Sequence, residues 1–306
     1  MKVFLTGATG FIGSHVARQL IRADCEIYCL VRKDSNLWRI NDIISSLKMV
    51  RGDLINPFEW ETLFIEVQPE ACINLAWFAE PGLYLDAMQN LDMLTASIKL
   101  ASLAARSGCP YFLSVGSCFE YDTSIGYLSE STLVRPESIY ASSKLAFKLV
   151  LEQIARTYGM KAAWVRLFHQ FGPFEQKSRL IPDVICSLLA NQKQKLTRGE
   201  QVRDYLYIED VASAIAAVFL NQIQGEVNIG SGKPVTIHDL SLKIGTLLNR
   251  TELLEFGALP YRPGDPMFIC ANNQRLMEIT GWKPTIDLEE GLLRSIQWWQ
   301  EQIRSS

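Results

Sequence analysis

A chain of 306 residues that is 48% hydrophobic is long enough for one large domain or two and can bury a sizeable core, which excludes general disorder. Its formal charge of -3 exerts no global pull on nucleic acid or anionic membranes, so any anion must be bound locally. Seven cysteines lack CxxC or metal spacing and only three histidines are present, which argues against a disulfide framework and against a histidine-based metal site. The opening KVFLTGATG has no signal-type apolar region, and no run approaches the ~18 apolar residues of a membrane span. A soluble cytoplasmic protein with reduced thiols is expected, with neither nucleic acid nor membrane as partner.

In chain order, the short apolar runs KVFLTG, EIYCLVR, KMVRGD, ACINLAW, PYFLSVGS and KAAWVRLF alternate with helical stretches. This pattern predicts a doubly wound α/β domain of the Rossmann type over residues 1–170, with a parallel sheet covered on both faces. After the first strand, TGATGFIGSHVARQL places Gly7, Gly10 and Gly13 at the start of a helix, with Phe11 and Ile12 between them. Glycines there let a pyrophosphate approach amide N–H groups at a helix N-terminus, so a dinucleotide cofactor is expected. The second strand ends in Val31, where a ribose-binding carboxylate is usual, and Arg32 and Lys33 follow. Two cations suit a 2'-phosphate and favour NADP(H) over NAD(H), the competing reading being a solvated strand end with Asp34 on the ribose. Asp53 and Leu54 after the third strand are expected beneath the adenine, and Leu75, Ala76 and Trp77 beside the coenzyme. The loop from Trp77 to Tyr84, including Glu80, is expected to line a substrate pocket, with core packing the competitor for Trp77 and Phe78.

Apolar spacing of three and four predicts a helix over 85–107, stopped by Gly108-Cys109-Pro110. A second helix is predicted from Ser138 as N-cap to Tyr158, with Gly159 ending it. Both are apolar enough to cover the sheet or also to pair with a second subunit. Residues 171–306 read as a smaller, mixed α/β substrate lobe, with parts of 205–235 expected to fold back onto the first domain.

IYASSKLAF sets Tyr140 and Lys144 four apart on one helix face. A nearby ammonium favours a phenolate, so Lys144 is expected to lower the pKa of Tyr140. Taken alone YxxxK is a frequent chance match. It gains meaning from order: glycine loop, then Ser117 at a later strand end, then Tyr140. With these motifs the chain resembles the short-chain dehydrogenase/reductase family, in its extended, nucleotide-sugar-modifying branch, over nearly its whole length. The resemblance implies that Ser117 hydrogen-bonds the reacting oxygen, Tyr140 exchanges its proton, and Lys144 binds the nicotinamide ribose.

The same resemblance extends to RLFHQFGPFE, where His169 replaces the usual asparagine, and to GEQVRDYLYIEDVA, where Arg203 is the implied diphosphate ligand. LPYRPGDP supplies Arg262 and Asp265, implying a second diphosphate contact and a nucleoside contact. Glu120 is a candidate sugar contact, with a solvated strand-end carboxylate as competitor. Cys118-Phe119 after Ser117 lack the Asp-Glu pair of the 4,6-dehydratases. The cysteine and histidine of the GDP-fucose epimerase/reductases are replaced by Phe119 and Phe174. What remains is NADPH-dependent reduction of a nucleoside-diphosphate 4-keto-6-deoxysugar. The alternatives are a 4-epimerase retaining NAD and a non-catalytic NADP-sensing module. A homodimer through the two long helices is implied.

Overall fold

The computed structural model describes residues 1–305. The first half runs β1 (Lys2–Thr6), α1 (Phe11–Arg22), β2 (Glu26–Val31), β3 (Leu47–Arg51), α2 (Glu61–Val67), β4 (Ala71–Asn74), α3 (Gln89–Arg106) and β5 (Tyr111–Ser117). It continues with β6 (Tyr127–Leu128), α4 (Ile139–Tyr158), β7 (Lys161–Leu167) and β8 (His169–Phe171). The remainder is α5 (Leu180–Leu189), β9 (Gln194–Lys195), β10 (Val202–Tyr207), α6 (Ile208–Leu220), β11 (Gly225–Ile229), β12 (Pro234–Thr236) and α7 (Ile237–Leu248). The chain closes with β13 (Leu254–Glu255), β14 (Cys270–Ala271), α8 (Gln274–Thr280) and α9 (Leu288–Ser305).

Seven strands form one parallel sheet in the order β11-β7-β5-β4-β1-β2-β3. All six apolar runs read from the sequence are in it. Side chains alternate across the pleat, so β1 feeds two cores. Val3 and Leu5 pack with Val16 of α1 and Ile215 of α6, whereas Phe4 meets Phe64 of α2 and Leu100 of α3. Burial on both faces explains why the strands read as continuous apolar runs.

The ends of α4 follow directly from side-chain chemistry. Ser138 Oγ accepts the Ala141 N–H at 3.1 Å, and Gly159 takes the left-handed conformation at φ 69°. Helix α3 begins at Gln89, four residues later than the apolar spacing implied. The buried Asn90 amide donates to the carbonyls of Tyr84 (2.7 Å) and Ala87 (2.8 Å), holding 84–87 as a turn.

Beyond the central sheet, β10 pairs in parallel with β8 and antiparallel with β12. Helices α5, α7 and α9 pack on this smaller sheet around Ile185, Leu240 and Leu292. Phe174 lies edge-on to both Trp38 and Trp298, with ring centroids at 5.4 and 5.7 Å, and so joins α9 to the segment after β2. Among the described residues no helix is long and apolar enough to cross a membrane, and no cluster of three or more His, Cys, Asp or Glu side chains could hold a metal.

Candidate active site

The carboxyl ends of the parallel strands gather the predicted coenzyme residues. Gly7, at φ +77°, turns the chain out of β1, and a Cβ there would lie 2.7 Å from the Ala76 nitrogen. A Cβ on Gly13 would overlap the Gly7 carbonyl oxygen. The loop therefore lies directly on Leu75-Ala76, and Ala76 N–H donates to Thr6 Oγ1 at 3.2 Å. Phe11 and Ile12 open α1, whose first turn carries no acidic residue, so the positive end of the helix faces the loop uncompensated. This cradle fits a nicotinamide dinucleotide. Arg32 and Lys33 are exposed just past β2, with Arg32 Nε 3.7 Å from Asp34 and Arg51 aligned with Val31 on the next strand. Leu54 is buried, and Asp53 uses Oδ1 to accept the Ile55 N–H at 3.0 Å.

Ser117, the last residue of β5, and the first two turns of α4 bring Ser117, Tyr140 and Lys144 together. Lys144 Nζ donates to the Val115 carbonyl at 2.7 Å, lies 3.9 Å from the centre of the Trp77 ring, and stands 5.9 Å from that of Tyr140. Trp77 is itself fixed by donating to Asn90 Oδ1 at 2.8 Å. Burial lowers the Lys144 pKa to about 7, opposed by the charge of Glu120. Burial also pushes the Tyr140 hydroxyl above its usual value; Tyr84 adds to this, while the Ser117 hydroxyl works against it. The expected depression of the Tyr140 pKa is thus reversed in sign. Desolvation is the largest influence on Tyr140, and the Lys144 ammonium is turned onto a strand carbonyl.

Tyr84 packs edge-on against Tyr140 with centroids 4.9 Å apart, under the Arg179 guanidinium at 5.4 Å. Glu80 remains exposed and accepts from Gln176 at 3.3 Å. Arg203 and Asp265, expected as separate ligands, are joined by a 2.7 Å ion pair, and Gln201 donates to the second Asp265 oxygen at 3.0 Å. Arg262 is exposed, within electrostatic reach of Tyr84. His169 sits between the rings of Phe119 and Tyr205, and its buried Nδ1 has no partner. Burial, reinforced by Arg203 and Arg179, lowers its pKa to about 3, so the ring is neutral.

Glu120 does not face the cleft, which corrects its assignment as a sugar contact. It is fully buried in a short turn after β5, accepting from the Ser117 N–H, Trp164 and Arg166. A strand-end carboxylate reads as solvated only while its turn is unknown. Cys118 is also buried, and burial pushes its thiol up to about 12, so it is not a nucleophile.

Sequence reasoning missed three groups on this wall of the cleft. Arg179 donates to the Ala79 carbonyl at 3.2 Å, bridging the loops that follow β4 and β8. Tyr205 lies beside His169 in register. Glu175 is buried with Oε2 unpartnered, and burial raises its pKa to about 8. The Gly-Pro before Glu175 marked the turn, whereas no spacing marked Arg179.

A doubly wound parallel sheet with a glycine cradle after β1 and a Ser/Tyr/Lys group at the end of β5 defines a nicotinamide-dinucleotide-binding oxidoreductase of the short-chain dehydrogenase/reductase type. The chain belongs to the NAD dependent epimerase/dehydratase family, which it matches over residues 3–230. It is 27% identical over 302 residues to CDP-abequose synthase of Salmonella typhimurium, covering 95% of each chain. It is 25% identical to a dTDP-glucose 4,6-dehydratase of Escherichia coli, covering 98% of this chain and 93% of the relative. Among solved structures, UDP-N-acetylglucosamine 4-epimerase of Methanobrevibacter ruminantium superposes with a TM-score of 0.87 at 26% identity over 98% of both chains. The dTDP-glucose 4,6-dehydratase of Bacillus anthracis, in complex with NAD, shares the fold with a TM-score of 0.88 at 23% identity, covering 99% of this chain and 98% of that one.

Proposed function

We propose that the protein reduces the C4 keto group of a nucleoside-diphosphate 4-keto-6-deoxysugar with NADPH. Tyr140 is the general acid, Ser117 the hydrogen-bond donor to the reacting oxygen, and Lys144 the ribose-side cation. The observation that carries this reading is the grouping of Ser117, Tyr140 and Lys144 at the end of β5, followed by an inert turn after Ser117. Burial keeps Tyr140 protonated, the form that delivers a proton to a developing alkoxide. Cys118 and Glu120 are both turned inward, so neither supplies the acid pair that elimination of water requires. The bound nicotinamide supplies the hydride. The protein orients the ketone, excludes water and provides the proton.

The substrate class is supported by relatives whose names place them on CDP-, dTDP- and UDP-sugars. The cations Arg203, Arg179 and Arg262 around the cleft suit a diphosphate, and the unpartnered Nδ1 of His169 is available to a ligand. Preference for NADPH rests on Arg32, Lys33 and Arg51 at the ends of β2 and β3, where no carboxylate occupies the Val31 position. A second reading, a 4-epimerase that retains NAD, is favoured by the UDP-sugar epimerase among the similar structures.

The two readings separate by stoichiometry. With a panel of CDP-, GDP-, UDP- and dTDP-4-keto-6-deoxysugars, a reductase consumes one coenzyme per product, faster with NADPH than with NADH; an epimerase consumes none. Tyr140→Phe is expected to lower kcat by about 10²- to 10⁴-fold. Near wild-type turnover in that variant would reject the assignment.

A further inference from the structure

Behind Ser117 lies a buried ion pair that the proposed reaction leaves unused. Glu120 and Arg166 are both fully buried. Glu120 Oε1 accepts the Ser117 N–H at 2.8 Å, and Oε2 accepts Trp164 Nε1 at 3.0 Å and Arg166 Nε at 2.7 Å. Every partner is an N–H donor, an arrangement that a carboxylate satisfies and a carboxylic acid does not. Burial raises its pKa above the ordinary carboxylate value, and Arg166 and these hydrogen bonds offset only part of that rise.

The strand is shaped around this carboxylate. Gly116 precedes Ser117, and a Cβ there would overlap both Glu120 Oε1 and the Trp164 indole nitrogen. On the far side, Arg166 Nη1 donates to the Tyr121 hydroxyl at 2.9 Å and to Glu226, which also takes Lys148 of α4. Towards the cleft, the titratable neighbours of Glu120 are Cys118, Tyr140 and Lys144. The pair thus ties β5, β7, β11 and α4 together at the place where Ser117 leaves the sheet.

We infer that Glu120 is a positioning residue: through the Ser117 N–H it fixes the strand end that aims the Ser117 hydroxyl, and it holds a charge, anchored by Arg166, behind the reducing centre. This rests on the reading of Ser117, Tyr140 and Lys144 as the reducing centre. Buried ion pairs are poor sources of net stability, and their use is geometric and electrostatic. The negative charge of Glu120 raises the pKa of both Lys144 and Tyr140. Removing it lets Lys144 lose its proton at lower pH.

The test is Glu120→Gln, which keeps shape and removes charge, assayed with NADPH and whichever 4-keto-6-deoxysugar of the panel the wild type reduces. The expected result is a kcat about tenfold lower or less with KM nearly unchanged, and an alkaline limb of the pH–kcat profile displaced by about half a pH unit or more towards acid. A profile that superimposes on the wild type would overturn the inference. A second measurement needs neither variant nor substrate: in wild-type protein labelled with ¹³C at the glutamate carboxyls, the Glu120 signal is expected to stay that of a carboxylate across neutral pH. A protonated Glu120 carboxyl would reject its role even if the sugar reduction is confirmed. A panel without turnover would reject the reaction while leaving this readout intact.

Discussion

Glu175, which is buried, and the half-buried His169 on one wall of the cleft respond to pH in opposite senses. His169 titrates near 6.5 when unfolded and about 3 in the fold, so the folded state binds fewer protons between these values and loses stability as pH falls through them. Glu175 moves from 4.5 to about 8, so the folded state binds more protons there and loses stability as pH rises. The cost of ionising Glu175 above pH 8 is on the order of 3–5 kcal/mol. Glu175→Gln is therefore expected to melt several degrees higher than wild type at pH 9, with the gap closing near pH 5. Calorimetry at the two values checks it, and a gap independent of pH would contradict it. Residue types in order sufficed to bring Ser117, Tyr140 and Lys144 to one place. They did not reveal which way Glu120 points, because the direction of a side chain beyond a strand end depends on a turn whose partner, Arg166, lies on another strand. The expected sign at Tyr140 failed for a related reason: helical spacing places an ammonium near a phenol, but desolvation is a property of the whole site.

Elements whose ends are set locally were legible to the residue, as α4 is between its Ser138 and Gly159 caps. Helix α3 was misplaced at its start because Asn90, a polar residue inside an apolar repeat, uses its amide on the preceding turn. Strand β11 lies within 205–235, the stretch expected to fold back onto the first domain, but its five residues carry no local sign of their partner, since β7 lies some sixty positions earlier. The segment GEQVRDYLYIEDVA shows the same division. Its arginine was read as a ligand, whereas its two buried aspartates act as staples. Asp204 accepts the backbone N–H groups of Ser231, Gly232 and Ala271, and Asp210 at the start of α6 accepts the N–H groups of Thr285 (3.0 Å) and Ile286 (2.9 Å) and the Thr285 hydroxyl (2.8 Å). Asp210→Ala leaves those donors unpaired at the entry to α9 and is expected to cost about 2–4 kcal/mol. Urea unfolding should show a lower midpoint with unchanged slope, and Asp210→Asn, which retains one acceptor oxygen, should recover part of the loss. An unchanged midpoint in Asp210→Ala would remove the staple from the account.

The two halves of the molecule are joined by the aromatic contact of Trp38, Phe174 and Trp298, and α3 and α4 lie against each other on the outer face of the sheet. Their inward sides fill the second core with Leu100, Ala101, Phe147 and Leu151. Their outward sides still carry exposed apolar residues: Leu85 and Met88 leading into α3, Leu91 within it, and Leu149 and Val150 on α4. Exposed apolar residues on adjacent long helices suit an interaction surface. The occupant we propose is a second copy, giving four helices across a two-fold axis, since a self-complementary face closes into a dimer. Light scattering at micromolar concentration is expected to give twice the 34.6 kDa chain mass, and a strict monomer would contradict the proposal. Leu91→Glu combined with Leu149→Glu is expected to yield monomer, because each charge would have to be desolvated in the contact. Since α4 begins with Tyr140 and Lys144 and carries Leu149 farther along the same rod, the monomer is also expected to bind the nicotinamide coenzyme normally but turn over more slowly. Normal coenzyme affinity in the monomer would separate a loosened helix from an unfolded one.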